Sequence, residues 1–140
     1  MTDTSSALNI VRPRIDDALI RRLVRTFYGR ARADALIGPI FNAAVQDWDE
    51  HIDKISDFWS SIMLRSGRYN GRPMRPHLML PLRGEHFDRW LQLFEETARD
   101  LCPADVADAF IIRAGRIADS FEMGIATQRG EFHSPRHARD

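Results

Sequence analysis

Five histidines, at positions 51, 77, 86, 133 and 137, are the side chains of this sequence best suited to hold a metal or move a proton. His77 closes the stretch RYNGRPMRPH, in which Gly71, Pro73 and Pro76 deny the backbone a regular helix. His51 lies four residues before Ile55 and eight before Trp59, in a helical pattern that turns it toward an apolar interior. His86 sits in the charged run RGEHFDR, which predicts exposure, and His133 and His137 belong to a polar C-terminal stretch. A histidine on a short stiff segment, set against an aromatic wall, is suited to offer one imidazole nitrogen to an iron porphyrin. The residues alone leave a second reading open, in which His77 is a turn residue and His51 a core histidine satisfied by a hydrogen bond.

Two further side chains join a large apolar body to a polar tip. Tyr28 carries an O–H and Trp90 an indole N–H, so each can line an apolar slot and still donate a hydrogen bond. Taken singly, both also fit a helix core at their spacing. Arg68, Arg72 and Arg75 flank the segment before His77 and suit either carboxylate pairing or plain solvation. Met63, Met74 and Met79 read as gap-fillers; Met79, two residues from His77, is badly placed to reach an opposite axial position.

The elements that must position these groups read as helices. Asp16 and Asp17 open one, with Leu19, Leu23, Phe27 and Tyr28 on one face to about Ala33, and Gly38-Pro39 interrupts the pattern. A short apolar piece, IFNAAV, follows. The next helix runs from Asp47 to about Arg65, with His51, Ile55, Phe58, Trp59, Ile62 and Met63 expected on one side, and Ser66-Gly67 ends it. Residues 68–76 read as loop, and His77 with LMLPL as one or two turns at most. Gly84 precedes a helix bearing Phe87, Trp90, Leu91 and Phe94 to about Leu101-Cys102. Pro103 opens the last helix, with Val106, Phe110, Ile111, Ala114, Ile117, Ala118 and Phe121 as its buried stripe to about Ile125. There is neither an internal repeat nor sustained strand alternation. The fold class is all-α, with one domain at 15–127 between a flexible arm (1–14) and a flexible tail (128–140).

Bulk properties narrow the function classes. A chain of 140 residues supports one core. Twenty basic and twenty acidic residues cancel, so no charge excess points to nucleic acid or an anionic membrane. No apolar run is long enough to span a bilayer and no secretory signal is evident, so neither a nucleic-acid nor a membrane partner is expected. Cys102 is the lone cysteine, which rules out an internal disulfide, and C-x-x-C-H is absent, which rules out covalent c-type haem attachment. A cytoplasmic, reducing location is the expectation.

The ordered segments FYGRARAD (27–34), GPIF (38–41), WDEHIDKISDFW (48–59), YNGRPMRPH (69–77) and HFDRWLQLFEE (86–96) resemble the truncated haemoglobins, specifically group III. The likeness spans roughly residues 16–125, and the Gly-Gly pairs of the other truncated groups are missing here, as they are in group III. It implies a truncated globin fold, a two-over-two helical sandwich around a non-covalent haem b. Position by position, it implies that His77 is the proximal ligand to haem iron, Tyr28 the distal tyrosine, Trp90 the distal tryptophan and His51 the distal gate histidine of some members. It implies further that Phe41 and Ile55 are apolar haem contacts and that Trp59 is the tryptophan characteristic of the group. Phe58 and Phe87 are expected at the haem wall, Arg72 and Arg75 at its propionates, and Phe94 in the core.

Such a site would take O2, NO or CO. Hydrogen-bond donors aimed at a ligand that gains negative charge retain it, and each ~1.4 kcal/mol slows release roughly tenfold. Several distal donors therefore argue against simple oxygen transport and for chemistry on the ligand, such as nitric oxide dioxygenation or peroxide turnover, with Tyr28, Trp90 and His51 as the groups that act. Gas sensing is the alternative within the haem class, and a non-haem helical interaction module the alternative outside it. The sequence carries no flavin or NAD motif, so turnover would call on a separate reductase.

Overall fold

The computed structural model describes residues 14–69 and 81–130. His77, Arg72, Arg75, Met74 and Met79, the two C-terminal histidines and most of the expected arm and tail lie outside the described residues. Among those described there are five helices and no strand: α1 Asp17–Ala33, α2 Gly38–Ala44, α3 Trp48–Leu64, α4 Gly84–Leu101 and α5 Ala104–Gln128.

Local chemistry sets the boundaries. The Asp16 carboxylate accepts from the Leu19 N–H at 2.8 Å and starts α1. Asp47 does the same for Glu50 at 3.1 Å and starts α3. That helix ends because Arg65 takes a left-handed conformation (φ 56°) just after Leu64. The last helix runs three residues past the expected Ile125, to Gln128.

The helices pack as two antiparallel pairs. In one pair the start of α1 meets the end of α3: Arg68, just past α3, bonds both Asp17 and Ser60, while Tyr28 near the end of α1 meets His51 near the start of α3. In the other, only Cys102 and Pro103 separate α4 from α5, and Arg99 of α4 pairs with Asp108 of α5. The α1–α4 contact joins the pairs through Phe27, whose ring meets Trp90 and Phe94 edge-on at 5.6 Å each. The main core gathers Ile20, Leu23, Phe27, Trp59, Phe94 and Phe110, all buried.

One expected face divides in two. Ser56, Trp59, Ser60 and Met63 form the buried face of α3, whereas His51, Ile55, Phe58 and Ile62 are only half-buried. Apolar periodicity passes over Ser56 and Ser60 because they are polar. Among the described residues Ser56 Oγ is the one buried side-chain polar atom without a partner.

Candidate haem pocket

Between the pairs lies a cavity of about 410 Å³, within the range of ligand sites. α1 contributes Tyr28, α2 Phe41, α3 His51, Ile55 and Phe58, and α4 Phe87 and Trp90. Every sequence-selected pocket residue that is described therefore lines this one cavity. Phe94, expected in the core, is buried and does not line it.

The polar tips sit on rings that are tightly held. The Tyr28 ring lies 5.2 Å from His51 and 5.5 Å from Trp48, and His51 meets Trp48 edge-on at 5.5 Å. The Tyr28 phenol is protonated at neutral pH, and burial raises its pKa further, so its O–H is available as a donor. The Trp90 indole stacks on Phe94 at 5.5 Å, and Phe94 stacks on Trp59 at 5.3 Å. Phe94 thus backs two indoles that both line the cavity, and neither can turn without disturbing the stack.

Backbone and ionic contacts register the walls. Asp34, just after α1, accepts from the Leu36 and Ile37 N–H groups at 3.0 and 3.1 Å, which anchors the approach to α2. The same carboxylate pairs with Arg89 of α4 at 2.7 Å, next to Trp90. Its side chain is 7% exposed. Burial alone would raise its pKa, but the Arg89 bond and the two backbone N–H groups outweigh that and hold it below the usual value. Gly38 brings α2 close to α1: a Cβ there would stand 2.6 Å from the Arg32 carbonyl oxygen.

Two expectations change. His86 is half-buried and lines the cavity. The first turn of α4 folds it inward, where its Nδ1 accepts from the Arg83 N–H at 2.8 Å; in the neutral ring the proton then sits on Nε2. Its position four residues before Trp90, on the same helix face, was the signal available in the sequence. Arg68, weighed as a carboxylate partner for a bound group, is instead engaged by Asp17. Trp48 meets His51 one turn along the same helix, and its place against Tyr28 emerges only when α1 and α3 pack. Cys102 is half-buried, and burial pushes its thiol up, away from nucleophilic chemistry.

A mostly apolar group suits these walls: ring faces and aliphatic side chains dominate, with imidazole, phenol and indole tips at a few points. The comparisons with known proteins agree. The bacterial-like globin family matches residues 16–112. The chain is 38% identical over 113 residues to the group 3 truncated hemoglobin ctb of Campylobacter jejuni, covering 77% of this chain and 89% of that protein. The crystal structure of the group III truncated hemoglobin from Campylobacter jejuni superposes with a TM-score of 0.73 at 39% identity, over 77% of this chain and 89% of that one. This chain belongs to the group III truncated haemoglobins. Its helices form the truncated globin fold, and membership brings the general property of globins, binding of gas molecules at a haem. In this truncated haemoglobin the α1–α3 pair carries Tyr28 and His51, and the α4–α5 pair carries Trp90 and His86.

Proposed function

We propose that the chain binds oxygen and other diatomic ligands, NO and CO among them, at a non-covalent haem b in the inner cavity, and retains oxygen for redox chemistry rather than ferrying it. The observation that carries this reading is the convergence of Tyr28, His51 and Trp90, from three helices, on one apolar cavity. Phe41, Ile55, Phe58 and Phe87 would wall the porphyrin, His77 would ligate its iron, and Arg72 and Arg75 would meet its propionates. When bound, the haem supplies the iron that takes up the ligand.

The protein's own part is electrostatic. The Tyr28 phenol, whose pKa burial raises further, and the Trp90 indole both keep their protons over the physiological pH range, so both can act as donors. Fixed donors in a mostly apolar cavity favour a ligand that gains negative charge and slow its escape. That suits nitric oxide dioxygenation or peroxide turnover fed by an external reductase, and it equally suits a sensor that must hold its gas. A cytoplasmic setting is part of this reading, and a chain with one cysteine is compatible with it.

Titration of the purified chain with hemin tests the proposal. A saturable Soret band at one haem per chain, lost or shifted in His77→Ala, is the expected result. A chain that stays folded and takes up no haem would refute it.

A further inference from the structure

A second, shallow pocket of about 570 Å³ opens to solvent beside the inner cavity, lined by Gly29, Arg32, Ala33, Asn42 and Trp48. Trp48 does not line the inner cavity; the Tyr28 and His51 rings it packs against do. The indole is therefore the partition between the outer pocket and the two polar side chains of the inner one.

The partition is latched from outside. The Arg32 guanidinium lies over the Trp48 ring, 4.5 Å from its centroid. Asn42 of α2 steadies this arginine twice, accepting from its Nε at 3.4 Å and donating from Nδ2 to its carbonyl oxygen at 3.1 Å. Arg14, Arg21, Arg30, Arg68, Arg89 and Arg99 each pair with a carboxylate. Arg32 lies on an indole face instead. A cation on a ring face holds the ring without locking it, since no directional bond must break for the indole to swing. Gly29 leaves the outer pocket unobstructed, because a Cβ there would meet nothing within 4 Å.

We propose that Trp48, latched by Arg32, is the door through which diatomic ligands pass from the outer pocket to Tyr28 and His51, and that this pair sets which ligands reach the site and how fast. The proposal rests on the gas-binding reading above. It places His51 behind the door rather than making it the outermost barrier, and it makes the passage size-selective: a ligand larger than a diatomic needs a wider swing of the indole.

Laser photolysis of CO from the haem-loaded chain, with ethyl isocyanide as the bulkier probe, tests it. Arg32→Met removes one exposed cation–π contact and should raise the CO association rate roughly two- to fivefold. Trp48→Ala should raise it on the order of tenfold, and the isocyanide rate by more. Gly29→Phe, which narrows the outer pocket, should lower both rates. Should Trp48→Ala fail to fold, Trp48→Leu takes its place, and Arg32→Met and Gly29→Phe alter only exposed positions. A readout free of ligand comes from 5-fluorotryptophan: the Trp48 resonance, assigned by its loss in Trp48→Leu, should shift or broaden in Arg32→Met. Unchanged rates in these variants, with a normal Soret band, would overturn the door alone; an unaltered chain without a Soret band would overturn the haem reading and the door with it.

Discussion

Replacing Tyr28 by phenylalanine isolates one hydroxyl. The ring is fixed by neighbours on several sides, with centroids 5.0 Å from Phe27, 5.2 Å from His51, 5.5 Å from Trp48 and 6.3 Å from Phe41. Phenylalanine keeps every one of these contacts, so the cavity should hold its shape and melting should move little. What is lost is one buried hydroxyl donor. A hydrogen bond to a charged partner contributes about 1.5–3 kcal/mol. With each ~1.4 kcal/mol equal to roughly a factor of ten, oxygen should leave about 10- to 150-fold faster. Stopped-flow mixing of the oxygenated protein with excess CO measures that rate directly. A folded Tyr28→Phe protein, with an unchanged Soret band and an oxygen dissociation rate within about twofold of the original, would refute the argument that this hydroxyl retains the ligand. Faster release together with a lowered melting temperature would instead show that the hydroxyl supports the wall.

Asp34→Asn keeps an oxygen for the Leu36 and Ile37 N–H groups but removes the charge facing Arg89; we expect a loss of about 1–2 kcal/mol at neutral pH, kept small because Arg89 is a third exposed. Because the folded-state pKa of Asp34 is depressed, its contribution is complete above the unfolded carboxylate pKa and disappears as pH falls through the folded value, so urea melts of the two proteins should converge in acid. Gly38→Ala forces a methyl group to within 2.6 Å of a backbone oxygen, and α2 must move; a cost of about 1–3 kcal/mol in thermal unfolding is expected, and wild-type stability would show that the approach of α2 to α1 is slack.

The helices and half of the pocket were legible because their signals are local. Asp16 and Asp47 announce helix starts by their own side-chain caps, and His51, Ile55 and Phe58 share a face by spacing alone. What escaped depends on partners distant in sequence. Ser56 and Ser60 look like surface residues until another helix covers them. His86 reads as exposed among charges, yet the first turn of α4 folds it onto the cavity. Trp48 precedes His51 by three residues, but its role as a partition exists only where α1, α2 and α3 meet. Asp34 stands within a recognisable motif, although nothing in its neighbours in sequence announces that Arg89, 55 positions later, completes its contacts.

The two oxygens of Asp34 face different stretches of chain: Oδ2 holds the approach to α2, and Oδ1 holds Arg89 of α4. The wall bearing Phe41 and the wall bearing Trp90 are thus dimensioned from a single datum. Displacing that datum carries both walls along together, so errors in placement are shared between them and the gap is preserved. For anyone grafting Tyr28, His51 and Trp90 onto another helical scaffold, the three visible side chains are an incomplete parts list. The graft needs Asp34 and Arg89 as its fixture, or the transplanted pocket will have the right surfaces at the wrong separation.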